Sequence, residues 1–584
     1  MNDHQIKKIT ENVELAKNYH QQGDTRKAIE LLTQVTNAKP ELETNWLLLG
    51  EYLAHVNDQQ ASNSAFAQYE MIKAFNDNLS VAEQAFIETN YIKSDQICRG
   101  LLQQVPNEIR VMRLLAKIAK HFRHFEISTS ILASCAETKP DDVAIGVEYA
   151  NALLGSNMHG KALEECERLL KLAPQDLDIY EIKAATLTRL GHFHEAIAVY
   201  RKLVIDHEQQ ALCLLRLGDV LKIVGEADEA IECYKKAIAL EPLSGEAWWN
   251  LANLKTYAFT DHDLELMKRV KDNTNITDLN KTLIHFALGK ALEDQQQFTE
   301  SFKHYQIAND NYIRNRPYQH ISQNEKYKSF FTLDYFAGKQ GIGHSSTAPI
   351  FIVGLPRSGS TLVEQILASH SLVDGTMELT EIVSIARELT NPDPSGQSQF
   401  LNSLANLTEA QVKGFAQRYL DYVHPLRRKA PYFIDKTPGN FHHLGLIKTL
   451  FPSAKIIDVR RSPMASGWSM YKQFFAEGHR FSYDLSTIGQ YYNEYIELMD
   501  HWHQVLPAQI LTVNYEDLVN DLPGVMGIIL EYCGLEFEQS CLDYHKNNRA
   551  VATPSSEQVR QPIYSTALNQ WKNYEQFLTP LKQK

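Results

Sequence analysis

No apolar run in this chain approaches the ~18 residues that a membrane-spanning helix needs. Positive charge is also in deficit: 58 Lys and Arg stand against 71 Asp and Glu, a net charge of −13. General nucleic-acid binding wants a basic face, so this balance argues against it. It leaves room for a local basic pocket around an anionic ligand. Cysteine is sparse and shows no CxxC pair. The seven thiols, Cys98, Cys135, Cys166, Cys213, Cys233, Cys533 and Cys541, are odd in number and fall mostly at apolar helical positions. Buried thiols in a reducing compartment are the expectation. The opening MNDHQIKKITENVELAKNYH lacks the apolar segment of a signal peptide. Together these absences predict a soluble, cytoplasmic protein. Close histidine pairs occur at His121/His124, His192/His194, His442/His443 and His501/His503. None adds cysteine and carboxylate at ligand spacing, so no metal is expected.

What is present is an ordinary globular composition, 44% hydrophobic and 22% charged. At 584 residues about two to four domains are expected. The first half is periodic. Pro106, Pro140 and Pro174 recur at 34 residues, Pro242 follows after two further periods, and Ala162, Ala196 and Ala230 keep the same step. Between them, GKALEECERLLKLAP, HEAIAVYRKLV and DEAIECYKKAIALEP carry apolar residues at i, i+3, i+4 and i+7, the pattern of paired amphipathic helices. Small alanines let the helices approach, and each proline closes a unit. Trp46, Leu49, Gly50 and Tyr52, and later Leu217 and Gly218, fit the first helix of such a unit. This half resembles a tetratricopeptide (TPR) array, strongly over 140–255 and more weakly over 10–140, with Pro40 and Ala28 marking an early unit. Single units cannot bury their apolar faces, so they must stack into a solenoid. The array implies either a surface for a peptide or protein partner or a passive scaffold. Residues 256–335 lose the period but stay helical, and NRPYQH at 315–320 breaks helix.

From about 345 the pattern changes to short strands between helices. IFIV, YFIDK, KIIDV and ILTVNY are the strands, and their alternation with helices predicts a parallel sheet covered by helices. The first strand leads into PIFIVGLPRSGSTL, residues 349–362. Ile350 to Val353 suit a strand buried on both faces. Gly354 and Gly359 allow close backbone approach. Ser358, Ser360 and Thr361 supply hydroxyls at a helix start, whose unpaired N–H groups and dipole favour an anion. The spacing is that of a P-loop, but Ser360 stands where a nucleotide triphosphatase has its lysine. The nearest positive charge is Arg357, a planar fork suited to tetrahedral oxyanions.

A second anion site reads from AKIIDVRRSPMASGWSMY at 454–471. A strand ends at Val459, Ser462 fits an N-cap and Pro463 the first helical position. Arg461 stands at that junction, and Ser469 lies two turns into the helix. The pair PRSGSTL and RRSPMASGWS resembles the two cofactor segments of sulfotransferases, which use 3′-phosphoadenosine 5′-phosphosulfate (PAPS). The resemblance implies that the loop of Arg357, Ser358, Gly359, Ser360 and Thr361 holds the 5′-phosphosulfate. It implies that Arg461 and Ser469 hold the 3′-phosphate. Ser462, where the family usually shows an aspartate or similar residue, is a mild departure.

The chain is most similar to TPR-containing sulfotransferases and, more distantly, to tyrosylprotein sulfotransferases, with the resemblance covering roughly 345–580. TLVEQILASHSLVDGTMEL implies Glu378 as catalytic base, with Glu381 as a rival. FIDKTPGN implies Lys436 as the catalytic lysine, and NYEDL implies Tyr515 at the nucleotide. The tail TPSSEQVRQPIYSTALNQWKNY implies Ser555 in the active site, with Arg560 and Lys572 as candidates for the cofactor phosphates. The expected architecture is a multidomain chain: an all-α TPR solenoid over 1–255, a degenerate repeat and connector over 256–340, and an α/β P-loop-like sulfotransferase domain over 341–584.

The chemistry asks for the same residue types. Sulfuryl transfer to a hydroxyl needs a base for the acceptor proton and fixed positive charge around the transferring group. Glu378 suits the first role. Lys436, Arg357 and the loop amides suit the second without a metal. The expected partners are the donor and a protein tyrosine or other large acceptor presented by the array. The competing readings are a P-loop kinase or triphosphatase, which Ser360 opposes, and an interaction protein whose second half is inactive.

Overall fold

The computed structural model describes residues 3–582 apart from 208, 315, 317, 320, 391–398 and 477. Its chain divides into two compact units, Met1–Arg189 and Leu190–Lys584.

The first unit is helical, built from antiparallel neighbours such as Phe125–Thr138 with Val143–Gly155 and His159–Leu172 with Leu177–Arg189. The period seen in the sequence is a period of turns. Gly23, Asn57, Thr89, Arg123 and Asn157 adopt the left-handed backbone at successive turns, 34 residues apart except for the 32 between Asn57 and Thr89. Close helix contact explains the small residues. A Cβ on Gly50 would lie 2.8 Å from the Phe66 ring, and one on Gly146 would lie 2.4 Å from Leu169. A serine on the second helix of a pair ties the two together: Ser62 Oγ donates to Gly50 O and Ser94 Oγ to Ala82 O, both at 2.8 Å. Where the proline is missing the units fuse. Between Pro40 and Pro106 the chain has no proline, and residues Gln59–Ile87 run as one 29-residue helix. The simple helix–turn–helix expectation is corrected there. All seven cysteines of the chain are buried.

The second unit continues the repeats with Phe193–Asp206, Ala211–Val224, Ala227–Leu240 and Gly245–Asn253, turning at Gly191 and Gly225 in the same 34-residue step. The helices Asp278–Asp294 and Phe298–Arg314 form a last pair with the repeat signature intact: Gln296 is left-handed at the turn and Ser301 Oγ donates to Gly289 O at 2.6 Å. Asn315, Pro317 and His320 of NRPYQH lie outside the described residues. These helices are joined to the following α/β layer. Phe302 stacks on Phe577 with centroids 4.4 Å apart, Asn309 Nδ2 donates to Tyr471 O at 3.0 Å, and Val551 N donates to Ile223 O at 2.9 Å.

The α/β layer holds a five-stranded sheet of β1 (Pro349–Gly354), β2 (Val373–Gly375), β3 (Tyr432–Asp435), β4 (Lys455–Arg460) and β5 (Ile510–Asn514), in the order β2-β3-β1-β4-β5. All pairings are parallel, with Gly354 opposite Val459 and Arg460 opposite Asn514. All six residues of central β1 are buried, which is why its sequence is apolar without alternation. Ile350, Ile352, Val363, Ile434, Ile457 and Val513 form the core beside it. The expected α/β class with a parallel sheet is the one found. The added strand is β2, whose three residues hold one apolar side chain, too little for a sequence signal. Among the described residues no helix is long and apolar enough to cross a membrane.

Candidate active site

Ligands of open parallel sheets bind beyond the C-terminal ends of the strands, where the strand order reverses. Here that place is between β1 and β4. The residues beyond those two ends are Arg357 and Arg461, and the residue after β5 is Tyr515.

Two glycines let these segments meet. Gly354 has φ +145°, and a Cβ there would lie 2.5 Å from Val459 O on β4. Gly359, at φ +101°, precedes the helix Ser360–Leu367. A Cβ on it would lie 2.4 Å from the Tyr515 ring. The Tyr515 ring also serves Arg461, whose guanidinium carbon stands 4.8 Å from its centroid, a cation–π contact. Pro463 opens the helix Pro463–Tyr471 as the sequence predicts, and Ser462 sits in the cap position without a side-chain cap bond.

Arg357 is the hub. Its Nε donates to Ser469 Oγ at 3.2 Å, one terminal nitrogen donates to Ser555 Oγ at 2.6 Å, and the other donates to Gln558 Oε1 at 3.2 Å. Arg461 donates to Arg357 O at 3.2 Å and to Ala567 O at 2.7 Å. Among the described residues neither arginine forms an ion pair with a carboxylate. Burial, and then the charge of Arg461, push the Arg357 pKa down to about 10. Burial also lowers that of Arg461. Two polar atoms here are buried without partners, Ser358 Oγ and Arg461 Nε. Uncompensated positive charge and unused hydrogen-bonding capacity are what an anion would satisfy. The arginines, Gly359, Ser360, Thr361, Ser469, Tyr515 and Ser555 line a cavity of about 920 Å³, within the usual range of small-molecule sites.

Glu378, which follows β2, and Lys436, which follows β3, meet separately. Lys436 Nζ lies 2.5 Å from Glu378 Oε1; the lysine is buried while the carboxylate side chain is 53% exposed. Neither lines the cavity. Beneath them Asp435 is buried, receives hydrogen bonds from Tyr419 and Thr437 at 2.9 Å, and has its pKa pushed up to about 7 by burial. Glu381 belongs to another network, 2.8 Å from Arg418 Nε, with Arg418 also bonded to Glu388 at 2.6 Å.

A model of the sulfotransferase family matches residues 349–539, and a TPR repeat model matches residues 218–255. Residues 349–539 form a sulfotransferase-family domain, and TPR repeats precede it. An uncharacterized protein of Aquifex aeolicus (strain VF5) is 32% identical over 413 residues, covering 69% of this chain and 54% of that one. Protein-tyrosine sulfotransferase 1 of Danio rerio is 27% identical over 235 residues, covering 38% of this chain and 65% of that one. The solved sulfotransferase domain of the Synechococcus PCC 7002 olefin synthase is 25% identical, covers 39% of this chain and 89% of its own, and superposes with a TM-score of 0.30. The chain thus spans between 54% and 65% of these two curated relatives.

Two of the expected phosphate contacts stand elsewhere. Arg560 donates to Ile223 O at 2.9 Å and to Arg549 O at 3.1 Å, pinning the tail of the sulfotransferase domain to a repeat helix. Lys572 is exposed. Neither lines the cavity. The cations that do, beyond the two arginines, are Lys255, Lys290 and Lys472. Sequence reasoning missed these, and also Gln558. Nothing in the repeat pattern marks Lys255 or Lys290 as facing a site formed by residues as far along the chain as Arg357 and Ser555.

Proposed function

We propose that the protein is a sulfotransferase that takes PAPS as donor and sulfates a hydroxyl on a protein tyrosine or another large acceptor brought by the repeats. The observation that carries this reading is the pair of arginines, Arg357 and Arg461, without a carboxylate partner among the described residues and sharing one cavity with Gly359, Ser360 and Thr361. The residues fit a nucleotide with an anionic group at both ends: there are two guanidiniums, a buried unpartnered Ser358 Oγ and Arg461 Nε, and an aromatic ring at Tyr515. Ser360 in the lysine position weighs against a triphosphatase.

When bound, PAPS supplies a sulfuryl group attached to a phosphate leaving oxygen. Arg357 with Ser360, Thr361 and the loop N–H groups would hold the 5′ end, and Arg461 with Ser469 the 3′-phosphate. Ser555 and Ser469 hold the Arg357 fork in its plane, so the charge is already in place before a ligand arrives. Glu378 Oε1 is the group assigned to accept the acceptor hydroxyl's proton, and its exposure leaves it open to a large substrate. Lys436 positions that carboxylate, its buried ammonium lying 2.5 Å from Glu378 Oε1. The repeats supply the surface for a peptide or protein partner.

The test is incubation of the full chain with radiosulfur-labelled PAPS and candidate tyrosine peptides or a cell lysate. Label should enter a protein or other large acceptor and disappear with Glu378→Gln. Label entering nothing, or entering equally with Glu378→Gln, would overturn the reading or the assigned base respectively.

A further inference from the structure

The cavity is not enclosed by the sulfotransferase domain alone. Trp249, Asn253 and Lys255 line it from the end of the repeat helix Gly245–Asn253. That helix departs from its predecessors. It has 9 residues, whereas Ala211–Val224 and Ala227–Leu240 each have 14. The left-handed turn residue of the previous repeat is Gly225, and one further 34-residue step would fall at 259. The left-handed residue is instead Lys255, with φ +64°, about one helical turn early. The conformation itself is the ordinary one of these turns, shared by Arg123 and Gln296; what differs at Lys255 is its position. The early stop delivers the lysine to the cavity.

Lys255 Nζ donates to Pro554 O at 3.1 Å. The next residue, Ser555, accepts from Arg357 at 2.6 Å. The ammonium is therefore placed beside the anion cradle. Among the described residues it forms no ion pair with a carboxylate. The charges acting on it are those of Arg357, Lys222, Lys472 and Lys290, which with burial hold its pKa well below the usual lysine range. The other two cavity lysines are already matched, Lys472 to Glu293 at 2.6 Å and Lys290 to Asp294 at 2.5 Å. A half-buried ammonium beside Arg357, with no carboxylate of its own, opposes folding unless an anion joins it.

We propose that Lys255, the last residue of the matched TPR repeat, is a third donor-site cation that binds an oxygen of the nucleotide's 5′-phosphate end together with Arg357. The repeats then complete the donor pocket in addition to presenting an acceptor. This rests on the reading of the cavity as the donor site.

Adenosine 3′,5′-bisphosphate, titrated calorimetrically into the full chain, separates the two. Lys255→Met should weaken its binding by about 10- to 100-fold, the span for losing one charge-assisted bond, and Lys255→Arg should recover most of it. Thermal unfolding without ligand should show Lys255→Met as stable as the wild type or more so, because an unpaired, half-buried charge has gone. Wild-type binding with unchanged affinity in Lys255→Met would overturn this proposal alone. A lowered unliganded melting temperature would assign the Pro554 bond to holding the fold, and would overturn it too. Absence of binding by the wild type would overturn the donor reading first and this proposal with it.

Discussion

Two charge clusters follow the C-terminal ends of the same sheet, and they are balanced differently. Beyond β1 and β4, Arg357 and Arg461 stand together with hydroxyls and an aromatic ring but, among the described residues, no paired carboxylate. Beyond β2 and β3, Lys436 and Glu378 neutralise each other at 2.5 Å. The first cluster is incomplete as a structure and would be completed by an anion. The second is complete, with its carboxylate open to solvent. An unbalanced cluster suits binding, and a balanced pair with one exposed member suits moving a proton.

The comparison can be broken by separating affinity from turnover. The largest effect should come from Glu378→Gln, with sulfate transfer falling by about 10²- to 10⁴-fold, the usual share of a general base. Its affinity for adenosine 3′,5′-bisphosphate, read by calorimetry, should stay near that of the wild type. Arg461→Ala should do the reverse, weakening bisphosphate binding by about 10- to 100-fold. Equal binding losses in the two variants would erase the distinction. Gly359→Ala sharpens the geometry of the first cluster. Its backbone at φ +101° and the Tyr515 ring 2.4 Å from the added Cβ should cost about 1–3 kcal/mol, seen as earlier denaturant unfolding and weaker nucleotide binding.

The smallest effect concerns a neutral cluster away from the cradle. His285 and His304 face each other, Nδ1 to Nδ1, at 2.9 Å. Burial pushes their pKa values down to about 3 and about 4. A folded value below the unfolded one means that protons favour the unfolded chain. The stability this pair contributes is therefore present above about pH 6.5 and lost as pH falls toward 4. Replacing both with Asn should flatten the dependence of the unfolding midpoint between pH 6.5 and 4, while bisphosphate binding at pH 7.5 stays unchanged.

The legible parts of this protein were those where one physical constraint dominates several adjacent residues. β1 was readable because a strand buried on both faces is apolar throughout, and β3, β4 and β5 because their short apolar runs alternate with helices. The loop at 354–361 was readable because close backbone approach demands glycine at fixed spacing. The repeats were readable because close helix contact imposes small residues at one step, as at Ala162, Ala196 and Ala230, 34 positions apart. Three features were not. β2 is too short to carry a pattern. The fused helix Gln59–Ile87 arises from a missing proline, and an absence inside a weak repeat gives no signal. The third is the set of cations around the cavity: Lys255 and Lys290 reach it from the repeats, while Arg560 and Lys572 in the tail do not line it. Periodicity tells which face of a helix is buried, not which distant residues it is buried against.

The central claim is that the arginine cradle is a site for a 3′,5′-phosphorylated adenosine. The most direct measurement is calorimetric titration of the full wild-type chain with adenosine 3′,5′-bisphosphate in magnesium-free buffer, beside the same titration with ATP. The bisphosphate should bind one to one, more tightly than ATP, and lose that preference in Arg461→Ala. Binding of ATP alone, or of neither nucleotide, would contradict the claim.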